Sequence, residues 1–516
     1  MSNSGIPLID RAAAFSDRVA ILDGRGEHTY GELLQASASV AATLLEGTPD
    51  LDEARVAFMV PPGFDYVAVQ WGIWRAGGVA LPLSLRDTHG ELAHVVWDAG
   101  AESLVTAPEF EEAVRAVADE GGAKLLRTTQ LHKGAAAELP VVDVERRASL
   151  LYTSGTTSRP KGVGATHANV QAQITSLVDA WEWSADDHIL NALPFHHVHG
   201  IVNALACPLW VGATCEILPR FEAERVWTGL AGGEVTLYMA VPTSYKALIA
   251  AWHAAPSANR ESLTRGASRL RLMVSGSDKL EVTTLEEWRK ITGHVLLERY
   301  GMTEIGMALS NPLHGERVPG SVGVPLPGVQ VRLVEMDIDA VNDTGEHHHG
   351  DVIEADGRPG ELQVRGPAVF KEYWRMPEVT AAAFPEDDWF CTGDVAEMED
   401  GRYRILGRAS QDFAISGGEN VNLKEVEEVV SAHPDIVECA VVGVPDEYWG
   451  KAVSAAVKLR DGAELSSDDL REWARERLAA HKLPRRLLVR DSLPRTAVGK
   501  VVKPAVVKLF EEAGDG

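Results

Sequence analysis

The stretch YTSGTTSRPKG, residues 152–162, contains the residue types that bind phosphate. Six consecutive residues, 153–158, are glycine or carry a hydroxyl group, and Lys161 follows them. Glycines let backbone N–H groups approach an anion, hydroxyls donate hydrogen bonds, and a lysine supplies positive charge. The residues ASLL (148–151) precede the run and are typical of a buried strand. The pattern predicts a phosphate-binding loop at the carboxyl end of a strand, with an ordinary polar surface turn as the alternative.

This loop is not a P-loop, which requires G-x-x-x-x-G-K-[ST] opening directly into a helix. Here Pro160 precedes Lys161, and Gly162 follows it. Further stretches carry residues that could do chemistry, and each alone has a structural explanation. They are PFHHVHG (194–200), SGSDKL (275–280), ERYGMTE (298–304), CTGD (391–394) with GR (407–408), and PRTAVGK (494–500).

Helices and strands that alternate along the chain are expected to position these stretches. Apolar runs such as ARVAFMV (54–60) alternate with amphipathic segments such as DYVAVQWGIWRAGG (65–78) through the first 300 residues or so. This alternation predicts parallel sheets covered by helices. Residues 320–406 change to short strands and turns, which predicts a β-rich subdomain. The sequence therefore predicts an α/β protein with a large N-terminal domain at 1–407 and a small α+β domain at 408–516.

Composition and charge narrow the functional classes. The 516-residue chain carries 75 acidic and 49 basic residues, a formal net charge of −26. A negative field of this size disfavours nucleic acid and anionic membrane as partners. Acidic residues are in excess, and arginine strongly outnumbers lysine. This composition fits a salt-rich cytosol, with a GC-rich genome as the alternative explanation.

Neither a membrane span nor a disulfide or metal framework is predicted. No run approaches the ~18 apolar residues of a transmembrane helix. The cysteines at 207, 215, 391 and 439 lie far apart without a C-x-x-C pair. The run His347–His349 lacks a second cluster of ligands, so we interpret it as incidental. Because the N-terminal residues show no targeting pattern, the sequence predicts a cytoplasmic protein.

Taken together, the six stretches resemble the adenylate-forming superfamily of acyl-CoA synthetases, luciferases and peptide-synthetase adenylation domains. Within it, LERYGMTEIGMALSNP (297–312) and RVPGSVGVPLPGVQVRLV (317–334) are similar to malonyl-CoA and methylmalonyl-CoA synthetases. The resemblance implies two half-reactions. A carboxylate attacks the α-phosphate of ATP to give an acyl-adenylate and pyrophosphate, and coenzyme A then displaces AMP.

The resemblance also implies an ATP site built from several stretches. The residues implied to hold the leaving pyrophosphate are Thr153, Ser154, Gly155, Thr156, Thr157 and Lys161. Glu304 matches the family's magnesium (Mg2+) ligand, and Thr303 matches a residue that contacts the α-phosphate. The residues implied to contact the nucleoside are Gly276, Ser277 and Tyr300 at adenine, with Asp394 and Arg408 at ribose.

The C-terminal domain is implied to be mobile and to carry a catalytic lysine. Lys500 in PRTAVGK matches the lysine that bridges the attacking carboxylate and the α-phosphate. A cation between two approaching anions lowers their repulsion and fixes their geometry. The domain is implied to rotate about residues 411–412 for thiolation, when Gly417 and Gly418 border the pantetheine channel.

A dicarboxylic substrate needs a partner for its distal carboxylate, because an unpaired buried charge is very costly. Arg299 is the best candidate, since a guanidinium grips a carboxylate bidentately. His197 matches the family's gate to the acyl pocket. His199 is expected either to face the substrate or to be an ordinary wall residue, and Lys246 is a weaker second cation.

Three positions depart from the family pattern. Ser158 replaces a glycine of the phosphate loop, with a modest expected effect. Asp278 stands where small residues are common, and we expect its carboxylate to point outward. Ile415 replaces a lysine associated with thiolation, so the sequence supports adenylation more strongly than efficient transfer to coenzyme A.

Other interpretations stay open at this point. The acid is alternatively methylmalonate, another short dicarboxylate or a monocarboxylate, since one methylene changes binding by only ~1–3 kcal/mol. A stand-alone adenylation domain that loads a carrier protein is a second alternative, although no carrier motif of the G-G-[DHN]-S type occurs. A non-catalytic relative is disfavoured, because Lys500, Glu304 and Asp394 are all present.

Overall fold

The computed structural model describes residues 4–131, 138–153, 160–336, 350–416, 419–446, 448–495 and 501–514. Its backbone forms two compact units. The first consists of Met1–Val331 and Val364–Ala381, and the second of Arg332–Gln363 and Ala382–Gly516. The β-rich stretch therefore groups largely with the C-terminal residues. The domain boundary between residues 407 and 408 stays a prediction.

The strands of the described residues are numbered in chain order. The first fifteen are β1 (Val19–Asp23), β2 (Gly26–Thr29), β3 (Arg55–Met59), β4 (Val79–Pro82), β5 (Ser103–Thr106), β6 (Lys124–Arg127), β7 (Arg147–Thr153), β8 (Lys161–Thr166), β9 (His188–Asn191), β10 (Thr214–Ile217), β11 (Leu237–Ala240), β12 (Leu272–Ser275), β13 (Leu297–Met302), β14 (Gly306–Ser310) and β15 (Val324–Pro325). The others are β16 (Gln330–Val334), β17 (Gly360–Arg365), β18 (Glu372–Tyr373), β19 (Phe390–Glu399), β20 (Arg402–Arg408), β21 (Phe413–Ser416), β22 (Glu419–Asn422), β23 (Ile436–Asp446), β24 (Gly450–Leu459) and β25 (Arg486–Val489).

The helices are numbered in the same way. Those before residue 300 are α1 (Pro7–Ala12), α2 (Tyr30–Leu45), α3 (Phe64–Arg75), α4 (His89–Ala99), α5 (Glu111–Gly121), α6 (Thr128–Leu131), α7 (His167–Ala180), α8 (Cys207–Val211), α9 (Ala223–Gly232), α10 (Pro242–Ala254), α11 (Ser257–Ala267) and α12 (Val282–Thr292). Those after it are α13 (Pro377–Ala383), α14 (Ala409–Asp412), α15 (Leu423–Ser431), α16 (Ser467–Arg475) and α17 (Lys503–Gly514). A π-helix spans His199–Ala206, directly before α8.

A nine-stranded sheet in the first unit has the order β15-β14-β13-β12-β11-β9-β10-β1-β2. Its inner pairs, from β1 through β13, are parallel, whereas β2, β14 and β15 are antiparallel to their neighbours. Parallel strands place their carboxyl ends along one edge, which is where ligands bind in such sheets. The register pairs Ser275 at the end of β12 with Glu298 in β13. The stretches SGSDKL and ERYGMTE therefore meet at one edge.

A seven-stranded sheet in the same unit has the order β18-β8-β7-β4-β3-β5-β6. β3, β4, β5, β6 and β7 run parallel to their neighbours, and β8 and β18 extend the sheet in antiparallel fashion. The predicted strand ARVAFMV forms β3, and the amphipathic segment after it forms α3, whose residues are almost all buried. The parallel sheets with helices between their strands confirm the predicted α/β class.

The second unit contains two smaller sheets. One has the order β16-β17-β19-β20, and the other has the order β22-β21-β24-β23 with β25 beside β24. Helix α16 begins with a capping box: the Ser466 hydroxyl accepts a hydrogen bond from the Asp469 N–H at 3.1 Å, and the Asp469 carboxylate caps the Ser466 backbone in return. The helix ends at Arg475, and a separate 3-10 turn spans Ala480–Lys482.

Within the described ranges, no helix is both long and apolar enough to cross a bilayer.

Candidate active site

The predicted phosphate loop connects the two strands of one hairpin. β7 ends at Thr153 and β8 begins at Lys161, and these residues pair across the antiparallel ladder. The loop therefore returns into a strand, whereas a P-loop opens into a helix. The predicted phosphate donors Ser154, Gly155, Thr156 and Thr157, together with Ser158, lie outside the described residues. Their role stays a prediction.

Lys161 and Glu304 contact the same tyrosine. The Tyr373 hydroxyl donates a hydrogen bond to Oε1 of Glu304 at 3.0 Å. The Nζ atom of Lys161 lies 4.4 Å from the centroid of the Tyr373 ring. Glu304 is buried, with 5% of its surface exposed. The cation predicted for phosphate and the carboxylate predicted for the metal therefore lie around one aromatic side chain.

Arg299 is a buried arginine on β13. Only 3% of its surface is exposed. Its Nη2 donates a hydrogen bond to Oγ of Ser277 at 3.3 Å, and its Nε has no partner among the described residues. Burial lowers the pKa of its guanidinium to about 9, so the group is still charged at neutral pH. A buried cation with an unsatisfied donor favours an anionic ligand, because pairing offsets the lost hydration.

Glu298 does not neutralise Arg299, although the two are adjacent in sequence. Successive side chains of a strand point to opposite faces. The Glu298 carboxylate instead accepts a hydrogen bond from the Gly320 N–H at 3.1 Å. Burial raises its pKa to about 7 against the lowering effects of that hydrogen bond and of Lys279. The positive charge of Arg299 therefore faces a different side of the sheet.

His199 belongs to the same cluster as Arg299. The π-helix places Nδ1 of His199 3.3 Å from Oγ of Ser277, and the residue is 5% exposed. Burial, with the nearby charges of Arg299 and His197, lowers the pKa of His199 well below its ordinary value, so the ring is neutral at pH 7. Its Nε2 has no partner within the described part of the chain. Ser277 thus links two buried side chains that each have an unsatisfied nitrogen.

Gly276 leaves the space that Arg299 occupies. A Cβ atom added at Gly276 would lie 2.5 Å from both Cζ and Nε of Arg299, which is far too close. We therefore expect Gly276→Ala to displace the guanidinium and to raise the KM for a dicarboxylate about tenfold or more, with a smaller effect on the KM for ATP. Steady-state kinetics with each substrate varied in turn measures both values.

Gly90→Ala is the matched control for this substitution, because a Cβ there meets nothing within 4 Å. It should leave both KM values unchanged. Equal increases of both KM values in the Gly276 variant would contradict a specific effect on Arg299.

The other residues predicted for the acyl, α-phosphate and adenine sites differ in how far they are buried. Thr303 lines a small cavity together with Val198 and Ile201 from the π-helix region. His197 is exposed, and its ring centroid lies 4.1 Å from that of His196. Tyr300 is half-buried on β13. Their assigned roles stay predictions.

Lys246 and Asp278 lie on the surface. The half-exposed ammonium of Lys246, on α10, pairs with the exposed carboxylate of Glu281 at 2.7 Å. Within the described ranges this pair is the contact shown for Lys246, and its role as a second cation for the substrate stays a prediction. Asp278 is exposed, as the sequence predicts for a carboxylate that points outward.

The second unit brings together the two residues predicted for ribose. β19 and β20 pair Asp394 with Arg408 across the ladder. Nη1 of Arg408 lies 3.2 Å from Oδ1 of Asp394. The Asp394 N–H donates to the Thr392 hydroxyl at 3.1 Å, which fixes the strand at this position. A carboxylate held in this way is suited to accept hydrogen bonds from vicinal hydroxyls.

A group of partly buried charged residues, the α14 network, surrounds the end of α14 and consists of Arg408, Asp412, Lys424, Glu427 and Lys503. The Arg408 N–H donates to Oδ2 of Asp412 at 2.9 Å, and the Lys503 ammonium pairs with Oδ1 of Asp412. Lys503 also lies 3.3 Å from Glu427, which pairs with Lys424 at 2.7 Å. The network therefore joins α14 to α15 and α17 within the second unit.

Several predicted residues lie outside the described part of the chain. They are Lys500, Gly417 and Gly418, and the side chain of Ile415 is likewise undescribed. Their functions stay predictions.

The sequence analysis did not identify two residues that lie near the site. Tyr373 lies 69 residues from Glu304, and no spacing connects the two positions. Asn203 follows His199 by four residues on the π-helix; its Oδ1 accepts from Nε2 of Gln173 at 2.6 Å, and its Nδ2 has no described partner. The four-residue spacing was the only available signal, and it is equally typical of an apolar helix face.

Comparison with known proteins identifies the class to which this fold and site belong. The AMP-binding enzyme family matches residues 8–374, and the AMP-binding enzyme C-terminal domain matches residues 425–500. The chain belongs to the AMP-binding enzyme family. The resemblance to adenylate-forming enzymes that the motifs indicate is thereby confirmed.

Relatives that align over nearly their whole length are named more narrowly than the family. The mitochondrial malonate–CoA ligases ACSF3 of mouse and human are each 44% identical over 99% of this chain and over 92% and 93% of their own lengths. A malonate–CoA ligase of Arabidopsis thaliana is 36% identical over 99% of this chain and 90% of its own. The crystal structure of ATP-bound MatB from Rhodopseudomonas palustris is 34% identical, covers 99% of both chains and superimposes with a TM-score of 0.87.

Proposed function

We propose that this protein is an ATP-dependent ligase that joins malonate or methylmalonate to coenzyme A. The observation that carries the proposal is the buried Arg299, whose Nε is unsatisfied beside the neutral ring of His199. Relatives from vertebrates and a plant are named malonate–CoA ligases. One structural relative, a malonyl-CoA ligase of 33% identity and TM-score 0.68, was solved with methylmalonyl-CoA and AMP bound.

The free energy of pairing Arg299 favours an acid with a second carboxylate over an acid with only one. An acid with one carboxylate uses that group for the reaction and leaves the guanidinium unpaired. A buried cation without a partner costs about 3–5 kcal/mol relative to the paired state. Since 1.4 kcal/mol corresponds to a factor of ten, a dicarboxylate should be preferred by about 10²–10³ over a monocarboxylate of similar size.

The reaction follows from the predicted roles. In the first half, a carboxylate oxygen of the acid attacks the α-phosphorus of ATP, and the bond from that phosphorus to the bridging oxygen breaks to release pyrophosphate. In the second half, the sulfur of coenzyme A, having lost its proton, attacks the acyl carbon and AMP leaves. Lys161 binds phosphate oxygens, and Lys500 holds the two anions together in the first half.

Mg2+ fits the donor set at Glu304. This ion is usually held by one or two carboxylates together with substrate phosphates. The described residues contain no cluster of three or more His, Cys, Asp and Glu side chains suited to a metal, whereas Glu304 provides one buried carboxylate. When bound, the ion neutralises negative charge on the phosphates. Glu304 would hold it, and Lys161 would complement it on the phosphates.

The compartment stays a prediction. The sequence favours the cytoplasm, whereas the vertebrate relatives are named mitochondrial proteins.

The test of the proposed function is a substrate comparison. Formation of AMP and of acyl-CoA is measured separately with ATP, Mg2+, coenzyme A and one of five acids: malonate, methylmalonate, succinate, acetate or octanoate. We expect malonate or methylmalonate to exceed acetate by about 10²–10³ in kcat/KM, because their second carboxylate pairs with Arg299 and acetate has none. A lead by acetate or octanoate would refute the proposed substrate. AMP formation with malonate but without thioester would refute the transfer to coenzyme A.

A further inference from the structure

Tyr373 lies in β18, at the edge of the seven-stranded sheet and beside β8. β18 pairs with β8 so that Tyr373 faces Val163. Its side chain is buried, with 6% of the residue surface exposed, and its ring packs edge-on against Phe370 at 4.8 Å. The tyrosine is therefore held by strand pairing and by packing as well as by the site residues that it contacts.

The segment around Tyr373 also connects β8 to the turn that carries Glu304. The Phe370 N–H donates to the Glu304 carbonyl at 2.7 Å. The Trp374 N–H donates to the carbonyl of Gly162, the residue after Lys161, at 2.7 Å. Residues 370–374 thus fix the backbones of the two site residues at a constant separation.

The side chain of Tyr373 also contacts the carboxylate of Glu304 and the ammonium group of Lys161. Its hydroxyl donates to Oε1 of Glu304 at 3.0 Å, and its ring lies 4.4 Å from Nζ of Lys161. A hydrogen bond restricts the rotation of a carboxylate, and an aromatic face attracts an ammonium group. One side chain therefore orients both a carboxylate and a cation.

We infer that Tyr373 is a positioning residue that orients the Glu304 carboxylate for the metal ion of the metal–ATP substrate. The inference rests on the proposed function, in which Glu304 holds Mg2+. Hydrogen-bond partners of metal-binding carboxylates typically contribute 10- to 100-fold to metal affinity. The hydroxyl acts on the metal through Glu304, whereas the ring acts on Lys161. The two parts of the tyrosine can be separated by experiment.

Tyr373→Phe removes the hydroxyl and keeps the ring. We expect the full-length variant to bind Mn2+, a spectroscopic substitute for Mg2+, 10- to 100-fold more weakly in the presence of α,β-methylene-ATP. Electron paramagnetic resonance of free Mn2+ measures that affinity without turnover. Affinity for the same nucleotide in EDTA should be unchanged, because the ring still faces Lys161.

Tyr30→Phe is the matched control. It removes another buried hydroxyl, which donates to the Ala213 carbonyl at 2.6 Å within the apolar core. This variant should bind Mn2+ as the unaltered protein does, even if it is somewhat less stable. Unchanged Mn2+ affinity in Tyr373→Phe would overturn the inference, and so would an equal loss in both variants.

Glu304→Gln separates failure of this inference from failure of the metal assignment. If Glu304→Gln weakens Mn2+ binding and Tyr373→Phe does not, only the role of Tyr373 is overturned. If Glu304→Gln binds Mn2+ as well as the unaltered protein, the metal assignment is wrong and the role of Tyr373 is overturned with it. The choice of acid is decided separately by the substrate comparison.

Discussion

Arg299→Ala should lower kcat/KM for malonate about 10²- to 10³-fold and leave kcat/KM for acetate within a few-fold. The distal carboxylate of malonate would enter a buried pocket without its counter-ion, at a cost of about 3–5 kcal/mol. Acetate has no second carboxylate, so it neither gains from Arg299 nor loses by its removal. The measured quantity is the ratio of the two kcat/KM values, obtained from initial rates of AMP formation.

The ratio makes the experiment independent of how much variant protein is folded. Arg317→Ala is the matched control, because this partly buried arginine donates to the carbonyls of Pro312, Val295 and Leu313 and to no substrate in our proposal. Arg317→Ala should leave the ratio unchanged, whatever it does to stability. If Arg299→Ala also leaves the ratio unchanged, Arg299 does not select the acid.

Lys503→Met should reduce the stability of the second unit by about 3–5 kcal/mol, the usual cost of removing one partner of a buried ion pair. The Lys503 side chain is 13% exposed, and its partners Asp412 and Glu427 are 17% and 13% exposed. Methionine keeps the length of the side chain and removes the charge, so Asp412 loses its ammonium partner. Because a chain with two units need not unfold in one step, amide hydrogen exchange in α15 and α17 is the appropriate measurement.

Lys508→Met is the control in the same helix, since Lys508 is exposed. It should leave hydrogen exchange in α15 and α17 within a few-fold of the unaltered protein. Asp412→Asn in the Lys503→Met background should restore part of the lost protection, because the unpaired charge is then gone. Equal exchange in the Lys503 and Lys508 variants would show that the α14 network contributes little.

The same network predicts a dependence on pH. Burial tends to raise the pKa values of Asp412 and Glu427, but Lys503 and the hydrogen-bonding N–H groups outweigh it, so both pKa values lie below their ordinary range. Their contribution is therefore present above the ordinary carboxyl pKa of about 4 and is lost as the pH falls through the lowered values. Acid should destabilise α15 and α17 in the unaltered protein more than in Lys503→Met.

Local patterns in the sequence predicted the elements that depend on local physics. The strand β7 before the phosphate loop, the strand β3 and the helix α3 all follow from the patterns of apolar residues. Arg299 was predicted as the partner of a distal substrate carboxylate, because an unpaired buried charge is very costly. The structure places it in a buried position, and its role stays a prediction.

The features that the sequence did not predict depend on contacts between distant segments. Tyr373 meets Glu304 only because β18 joins β8 at the sheet edge. The contact of Lys246 with Glu281 likewise depends on how α10 lies against the start of α12. The π-helix at His199–Ala206 has the composition of an ordinary apolar helix, so no residue type distinguished it beforehand.

The π-helix has a consequence for how pockets of this kind diversify. Its i→i+5 hydrogen bonds enclose one residue more per turn than those of an α-helix, and such helices typically mark functional sites. Deleting one residue within His199–Ala206 would let the segment tighten into an α-helix. Because the removed residue is the extra one of the wider turn, the flanking residues would keep nearly the same orientation. An insertion or deletion here would therefore change the backbone locally while the rest of the fold keeps its register.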